Sequence, residues 1–492
     1  MTLTLSFRTN LLREECLLIE SQCNNSTLTS QVFRTHKMFE SRKLKVEFHI
    51  GIDDTDSPRG GCTTYTMSIL SDRLQHEELE LDGYPCLVRL NPNVPWKTRG
   101  NAATALHLKV PKTRIGEVKE AAIKTVEETS DVSQPNTDPA IVFLEGPVPS
   151  ILRSFYSRAL TDILTVEETE QLAAEACVES CLIKGNRGMV GALAAVGADL
   201  NRDDHTFEMI AYRRKENRGT KRKVDPESVM EMNSKMGDST FNNLDPDTGR
   251  ILVAPHGPDP VLLGVRGEDP WSVAEAFKMI RPNEPVERAT LFKTNQGTDA
   301  HFSRSRWITE LQADQSGNIT GEVMTHPVSN LGGHVFFRLL DNSGEVDCAA
   351  YEPTGPFRDE VLLLVPGDRI RAFGGVGSGP LGVLTFNLEK FEVIHLVECT
   401  ESKSRSCKKC GGSLESMGRG QGGRCRRCGN RLSGPLKDLI PKQRQIQPGL
   451  HMPPPRALRH LTKPFSRIER QKTNIPSRLL RGTSIRNQLF KG

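Results

Sequence analysis

The chain has 492 residues, 36% hydrophobic, 26% charged and 5% aromatic, enough for about three globular domains. No run approaches the ~20 apolar residues of a membrane helix, which argues against an integral membrane protein. The net charge of +4 hides an asymmetry: residues 401–492 carry 22 Lys+Arg against 4 Asp+Glu, and the first 400 carry 43 against 57. An acidic body with a basic end points to a polyanionic partner.

Residues 1–43 show no sustained periodicity and contain a polar run at 22–27. They read as a disordered extension, or as residues ahead of a true start near Met38. No charged segment leads into an apolar core and a small-residue cleavage site, so no secretory signal is expected. From Leu44 order begins: Leu44, Val46, Phe48, Ile50 and Ile52 alternate with polar residues, the period of a strand. That strand runs into Asp53-Asp54-Thr55-Asp56 and then Gly60-Gly61-Cys62-Thr63-Thr64, after which Met67, Leu70 and Leu74 predict a helix. Strands at 86–90, 106–110 and 141–145 and a helix over 115–126 complete an alternating α/β region, 44–160.

Thr165 with Glu168 makes a capping box that opens a helix through Cys177. Residues 185–197 are small and glycine-rich, 206–212 and 261–265 read as strands, and 272–280 as a helix. Separate strands and helices of this kind suit a ferredoxin-like α+β layer over 161–290. Residues 292–301 are dense in hydrogen-bonding side chains and read alone as a polar linker, with Lys293, Thr294 and Gln296 as candidates for RNA contact. Short strands at 319–324, 334–340, 346–351, 369–373, 384–387 and 391–395 predict a small β-barrel of OB type within 291–399. Residues 400–432 hold a cysteine quartet, and 433–492 are Pro- and Arg-rich, reading as a flexible basic tail.

Eight cysteines (Cys16, Cys23, Cys62, Cys86, Cys177, Cys181, Cys348, Cys399) are scattered, whereas Cys407, Cys410, Cys425 and Cys428 form two CxxC pairs 14 residues apart. Two such turns complete a tetrahedral four-thiolate shell, the ligand set of a structural Zn²⁺ with no open position. Lys408, Lys409, Arg424, Arg426 and Arg427 offset its negative charge. Scattered thiols beside a metal cluster indicate a reducing cytoplasm.

The acidic loop is the strongest candidate for chemistry. Asp53, Asp54 and Asp56 at the end of an apolar strand repel one another unless a cation sits among them, and Mg²⁺ accepts carboxylate and phosphate oxygens. Gly60 and Gly61 let backbone approach phosphates ahead of a helix N-terminus, where Thr63 or Thr64 supplies a hydroxyl. The bland alternative is a solvated turn with aspartate caps. Lys97 and Arg99, in the loop 91–101, suit bracketing the phosphates of ATP, or belong to an ordinary proline-stiffened loop.

GIDDTDSPRGGCTTY, NPNVPWKTRGNAA, GMVGALAAVG, PHGPDPVLLGVRGE and FKTNQGTDAHF follow in this order, ahead of the OB-like region and the CxxC/CxxC ribbon. In these five motifs the chain resembles the archaeal isoleucine-tRNA 2-agmatinylcytidine synthetases, the TiaS family, from about residue 44 to 430. The resemblance implies a multidomain α+β protein with a kinase-like α/β catalytic domain, a ferredoxin-like domain, an OB-fold and a zinc ribbon. It implies ATP-dependent ligation of agmatine to C2 of the wobble cytidine of a minor isoleucine tRNA with a CAU anticodon, switching codon reading from AUG to AUA. By the same resemblance Thr63 is autophosphorylated, Asp53, Asp54 and Asp56 serve metal and phosphates, and agmatine lies near Gly191, Ala192 and Asp225. ATP, Mg²⁺ and structural Zn²⁺ are the expected cofactors, and the cytoplasm the expected location. The alternative is an OB-fold/zinc-ribbon protein that binds single-stranded nucleic acid without catalysis. It leaves the acidic loop unexplained, because a phosphate-binding surface gains nothing from carboxylates without a metal.

Overall fold

The computed structural model describes residues 45–379 and 382–471. The readings for residues 1–43 and for the last part of the basic tail lie outside them. The described chain divides into two units, one made of residues 45–86, 103–153 and 166–197, the other of 87–102, 154–165 and those from 198 to 471. Among the described residues no helix is long and apolar enough to cross a membrane.

The first unit is built on β1 (Lys45–Asp53), whose alternation buries Phe48, Ile50 and Ile52. Each such side chain contributes about 1.5–3 kcal/mol by leaving water. Then come α1 (Thr63–His76), β2 (Glu80–Leu81), β3 (Cys86–Arg89), β4 (Ala102–Pro111), α2 (Ile115–Thr129), β5 (Ala140–Glu145) and α3 (Ser150–Ala159). The chain passes between the units at β3 and α3. α4 (Val166–Glu175), β6 (Glu179–Leu182) and α5 (Gly188–Gly197) complete the first unit. Its strands run in the order β6-β5-β1-β4-β2. Ile50 stands opposite Leu106 on β4 and Phe143 on β5, and every pairing is antiparallel.

Two expectations are corrected here. Alternating strands and helices suggest an α/β region, but alternation along a chain does not fix strand direction, and this sheet is antiparallel. The boundary placed at residue 161 also fails: β6 pairs with β5, and α5 packs on β1 and β5. α5 carries no amphipathic stripe, and nine of its ten residues are buried. A helix apolar on all sides is one enclosed on most of them.

The second unit continues with β7 (Thr206–Arg213), α6 (Pro226–Met236), β8 (Thr240–Phe241), β9 (Val261–Gly267), α7 (Pro270–Met279) and β10 (Val286–Thr294). Its first sheet has the order β3-β10-β7-β9-β8, with α6 and α7 packed together. β10 takes the place of the expected polar linker. It lies between β3 and β7, and its side chains from Ala289 to Thr294 are core rather than surface.

β11 (Ser316–Val323), β12 (Val328–Ser329), β13 (Val335–Leu340), β14 (Glu345–Ala350), α8 (Phe357–Val361), β15 (Arg369–Ser378) and β16 (Leu384–His395) form the barrel. The order β11-β15-β16-β14-β13 closes through a β11–β13 pairing, and β14 with β16 is the parallel pair. β13 alternates strictly, burying Val335, Phe337 and Leu339, as the sequence predicts. The two strands predicted at 384–395 are one, β16, whose pairing with β15 shifts register at Phe373/Gly374.

β17 (Cys399–Ser404) leads into β18 (Leu414–Ser416), β19 (Gly423–Cys425) and β20 (Arg431–Leu432), a three-stranded ribbon. β21 (Lys437–Lys442) returns antiparallel to β17, and β22 (Gly449–His451) adds to β16. The flexible tail expected from residue 433 is therefore corrected as far as residue 471. Five of its eight Lys and Arg up to residue 471 are held by carboxylates of the same unit. Arg444 pairs with Asp368 at 2.6 Å, Arg456 with Asp245 and Asp247 at 2.8 Å, and Lys463 with Asp204 at 2.8 Å. Arg467 is fully buried and pairs with Glu268 at 2.6 Å and Asp204 at 3.1 Å. Composition shows charge but not which opposite charge is in reach.

Candidate functional site

The acidic loop begins where β1 ends. Asp54 takes a positive φ of 57°, an uncommon backbone for a residue with a side chain, and its N–H donates to Asp53 Oδ1 at 2.7 Å. Helix α5 lies against Asp53 so closely that a Cβ on Gly191 would fall 1.8 Å from Asp53 Oδ2. Only glycine fits there. Ala192 turns its carbonyl toward Gly51 on β1, so the two residues singled out for agmatine border Asp53 and its strand.

Arg187, one residue before α5, reaches Asp54 at 3.1 Å and Asp138 at 3.3 Å and donates to the carbonyl of Asn136 at 2.9 Å. Asp53 keeps a partial opening to solvent, yet its carboxyl lies deep among protein atoms. Lost hydration first, and then the charge of Asp54, push its pKa well above the ordinary aspartate value. Asp54 is also raised by burial, with Arg187 opposing. The pair is thus short of positive charge.

Asp56 is turned the other way. Its Oδ1 accepts from the backbone N–H of Thr63 at 2.8 Å and from the Thr63 hydroxyl at 3.1 Å. It therefore closes the N-terminus of α1, where a negative charge is favoured. Buried Thr55 donates its hydroxyl to Thr63 Oγ1 at 3.2 Å, which fixes that oxygen from behind. Gly61 has φ of 75°, and a Cβ there would meet the Thr55 carbonyl at 2.7 Å. Gly60, in a tight turn with Ser57, precedes it. The loop brings together Asp53, Asp54, Asp56, Gly60, Gly61, Thr63 and Gly191. Sequence reasoning missed Arg187 and Asp138, because no local pattern marks partners that arrive from far along the chain, and it passed over Thr55 as one more polar residue of the acidic run.

Lys97 and Arg99 lie in the second unit, where with Arg89, Asn93, Arg459 and His460 they line a cavity of about 560 Å³. Asp225 caps α6 through the Glu227 N–H at 3.0 Å and pairs with Arg281 at 2.8 Å, both structural duties. Lys293, Thr294 and Gln296 are buried: Lys293 donates to Asn201 Oδ1 at 2.6 Å and Gln296 to Glu208. As side chains of the interior strand β10 and the turn after it, they are not placed to meet RNA, which corrects that expectation.

In the ribbon the ligand atoms of Cys407, Cys410, Cys425 and Cys428 all lie within 4.8 Å of one another. The two turns match: Gly411 N–H donates to Cys407 O at 2.8 Å and Gly429 N–H to Cys425 O at 2.9 Å. The Cys407–Cys428 and Cys410–Cys425 sulfurs are 3.5 Å apart. Four thiolates at ~2.3 Å from one Zn²⁺ stand about 3.8 Å from each other, so the donor set fits the ion. Among the described residues this is the sole group of three or more ligands so gathered. The three aspartates are not, since each is turned to a different partner.

An acidic loop holding a threonine hydroxyl, an OB barrel and a four-thiolate ribbon on one chain define a multidomain enzyme that acts on nucleic acid. Family comparison agrees. The TiaS TCKD domain matches residues 49–184, the TiaS FLD domain 186–301, the OB-fold nucleic acid binding domain 318–394 and the TiaS C-terminal zinc ribbon domain 405–446. The isoleucine-tRNA 2-agmatinylcytidine synthetase TiaS of Pyrococcus horikoshii is 43% identical over 419 residues, covering 85% of this chain and 96% of that one. Its counterpart in Methanosarcina mazei is 40% identical over 435 residues, covering 87% and 99%. The crystal structure of apo TiaS, an isoleucine-tRNA agmatidine synthetase, has a TM-score of 0.77 at 36% identity, covering 86% of this chain and 98% of that one. The complex of TiaS with its isoleucine tRNA, AMPCPP and agmatine gives 0.72 at 34% identity over 86% and 98%. The chain belongs to the TiaS family.

Proposed function

We propose that the protein ligates agmatine to C2 of the wobble cytidine of the minor isoleucine tRNA at the expense of ATP. Family membership over most of the chain supports the reaction. The observation that ties it to these residues is the Thr63 hydroxyl held at 3.1 Å from Asp56 in the acidic loop. We read the region of residues 49–184 as the kinase-like catalytic domain and that of 186–301 as the ferredoxin-like one.

The C2 oxygen of cytosine is a poor leaving group, so an amine does not displace it unaided. Phosphorylation makes it one: the C2 oxygen attacks a phosphorus of ATP and a phosphoanhydride bond breaks, releasing the rest of the nucleotide. Agmatine nitrogen then bonds to C2 and loses a proton as the C2–O bond breaks and the oxygen departs with phosphate. Thr63 is the phosphoacceptor in this reading, and Asp56 takes its proton as the oxygen attacks. Thr55 keeps that oxygen aimed. Asp53 and Asp54 are the residues that would hold Mg²⁺: both are oxygen donors, and the single cation beside them, Arg187, is shared with Asp138 and does not offset both charges. When bound, the ion supplies neutralisation of phosphate charge. Agmatine enters beside Gly191 and Ala192. The tRNA substrate puts the reaction in the cytoplasm.

Incubation with ATP, Mg²⁺, labelled agmatine and a transcript of the minor isoleucine tRNA tests the proposal. Label must enter the tRNA only when all components are present, and nucleoside mass analysis must place it on the wobble cytidine. Binding of tRNA without incorporation would leave only the nucleic-acid-binding reading.

A further inference from the structure

The cavity of about 560 Å³ in the second unit is lined by none of the acidic-loop residues, and it is of the size that ligand sites have. Four cations line it, Arg89, Lys97, Arg99 and Arg459, with the carboxylate of Asp314 in the lining and that of Glu389 behind Arg459. Like charges gathered in a partly enclosed space repel, and an anion relieves them. The cations come from three distant stretches: the end of β3, the loop 91–101, and the C-terminal segment after β22.

They are positioned, not trailing into solvent. Arg459 donates to Asn93 Oδ1 at 2.7 Å and lies 3.3 Å from Glu389. Lys97 donates to the carbonyl of Val94 at 2.8 Å. Asn93 in turn donates to Gln315 O at 3.1 Å and Ser316 Oγ at 2.9 Å, which fixes the residue that orients Arg459. His460 is exposed at the wall of the cavity. The charge of Arg89 first, and lost hydration second, hold its pKa well below the ordinary histidine value. A neutral imidazole there donates a hydrogen bond without adding repulsion. Lys97 is lowered as well, by burial and then by Arg459.

We propose that this cavity is a phosphate-binding site, in which Arg459 and His460 of the C-terminal segment complete what Lys97 and Arg99 begin. The source of the phosphate, a nucleotide or the tRNA backbone, is where this inference rests on the proposed function. Both present the same anionic oxygens to the same guanidinium and ammonium groups.

Pyrophosphate, titrated calorimetrically into the full chain without added divalent cation, tests the site while the aspartates have no ion to bridge them to phosphate. Binding should weaken about tenfold or more in Arg459→Gln and in Lys97→Gln, and largely survive in Arg459→Lys. A wild-type chain that binds no pyrophosphate, or Gln variants that bind it as well as wild type, would overturn the proposal. AMPCPP and a transcript of the minor isoleucine tRNA are then titrated separately. Loss in the first arm assigns the nucleotide; loss in the second, with a salt slope smaller by about one, assigns a backbone phosphate. No change in either arm, or an equal loss in both with a lowered melting temperature, also overturns it. A chain that binds pyrophosphate as described but incorporates no agmatine would sink the proposed reaction and leave the phosphate site standing.

Discussion

Gly191→Ala sets two effects of opposite sign against each other at one position. Helix propensity alone favours the change, since alanine is better than glycine in a helix interior by about 1 kcal/mol. The new Cβ, however, would lie 1.8 Å from Asp53 Oδ2 and 2.7 Å from Asp53 Cγ, where non-bonded atoms prefer about 3.5 Å. Either the Asp53 carboxylate rotates away or α5 lifts off β1. Overpacking of this kind typically costs about 1–3 kcal/mol, so the net result is a loss of about 1 kcal/mol, not a gain. The displaced atom belongs to the reacting loop, so agmatine incorporation should fall about 100-fold. Native-state hydrogen exchange in β1 and α5 measures the first effect locally, where global unfolding of a two-unit chain would blur it. The double variant Gly191→Ala/Asp53→Ala removes the clash, so adding the methyl in that background should stabilise α5. If Gly191→Ala alone protects α5 better than wild type and keeps full activity, the close contact between α5 and Asp53 is wrong.

Thr63→Ala should lower incorporation by about 10³ or more while tRNA affinity stays nearly constant, because the hydroxyl acts in phosphoryl transfer; full activity would remove its role as acceptor. Asp53 has a raised folded-state pKa, so its ionised form costs stability above the ordinary aspartate value of about 3.9, and that cost fades as pH falls below it. Asp53→Asn should accordingly raise the melting temperature at neutral pH, lose that advantage in acid, and be inactive; a neutral-pH melting temperature at or below wild type would contradict the burial of this charge. Arg467→Met leaves Glu268 without its buried cation and Asp204 with Lys463 alone, and should destabilise the second unit by about 3–5 kcal/mol in urea unfolding; a loss under about 1 kcal/mol would mean the C-terminal segment is not anchored there. Cys425→Ser with Cys428→Ser should release the bound zinc, measured by mass spectrometry of the native protein, and weaken tRNA capture more than ATP hydrolysis; unchanged tRNA binding would exclude the ribbon from the RNA interface.

Much of this molecule is legible in its sequence where a local physical rule is strict. The alternation of Val46 to Ile52 fixes β1, and the CxxC spacing fixes the thiolate cluster. The short strands after residue 317 fix the barrel, down to the inward side chains of β13. What stays hidden depends on partners far along the chain. Strand direction is set by which strands pair, so an alternating region turns out antiparallel. The run 188–197 lacks an amphipathic period because it is enclosed on several sides, and its glycines mark close approach to Asp53 and Asp138. Lys293, Thr294 and Gln296 look like surface readers of RNA because their types are polar. Asn201, Glu208 and an interior strand absorb them instead.

Charge shows the same distinction. The excess of acid in the first 400 residues and of base in the last 92 looks like a body with a nucleic-acid-binding tail. Within 433–471, six of the eight Lys and Arg side chains instead bond to partners in the second unit: Arg444, Arg456, Arg459, Lys463, Arg467 and Arg470. Five of them meet carboxylates from the acidic part of the sequence, Asp204, Asp245, Glu268, Asp368 and Glu389 among them. Such pairs remove positive charge from the reach of RNA. Among the described residues, positive charge remains for a polyanion at the ribbon, where Lys408, Lys409, Arg424, Arg426 and Arg427 are exposed around the cysteine cluster, and at the cavity where Arg89, Lys97 and Arg99 converge with Arg459, whose other side meets Glu389. The cations between residues 444 and 470 therefore act chiefly inside the molecule, binding this segment to the fold and placing Arg459 beside Lys97.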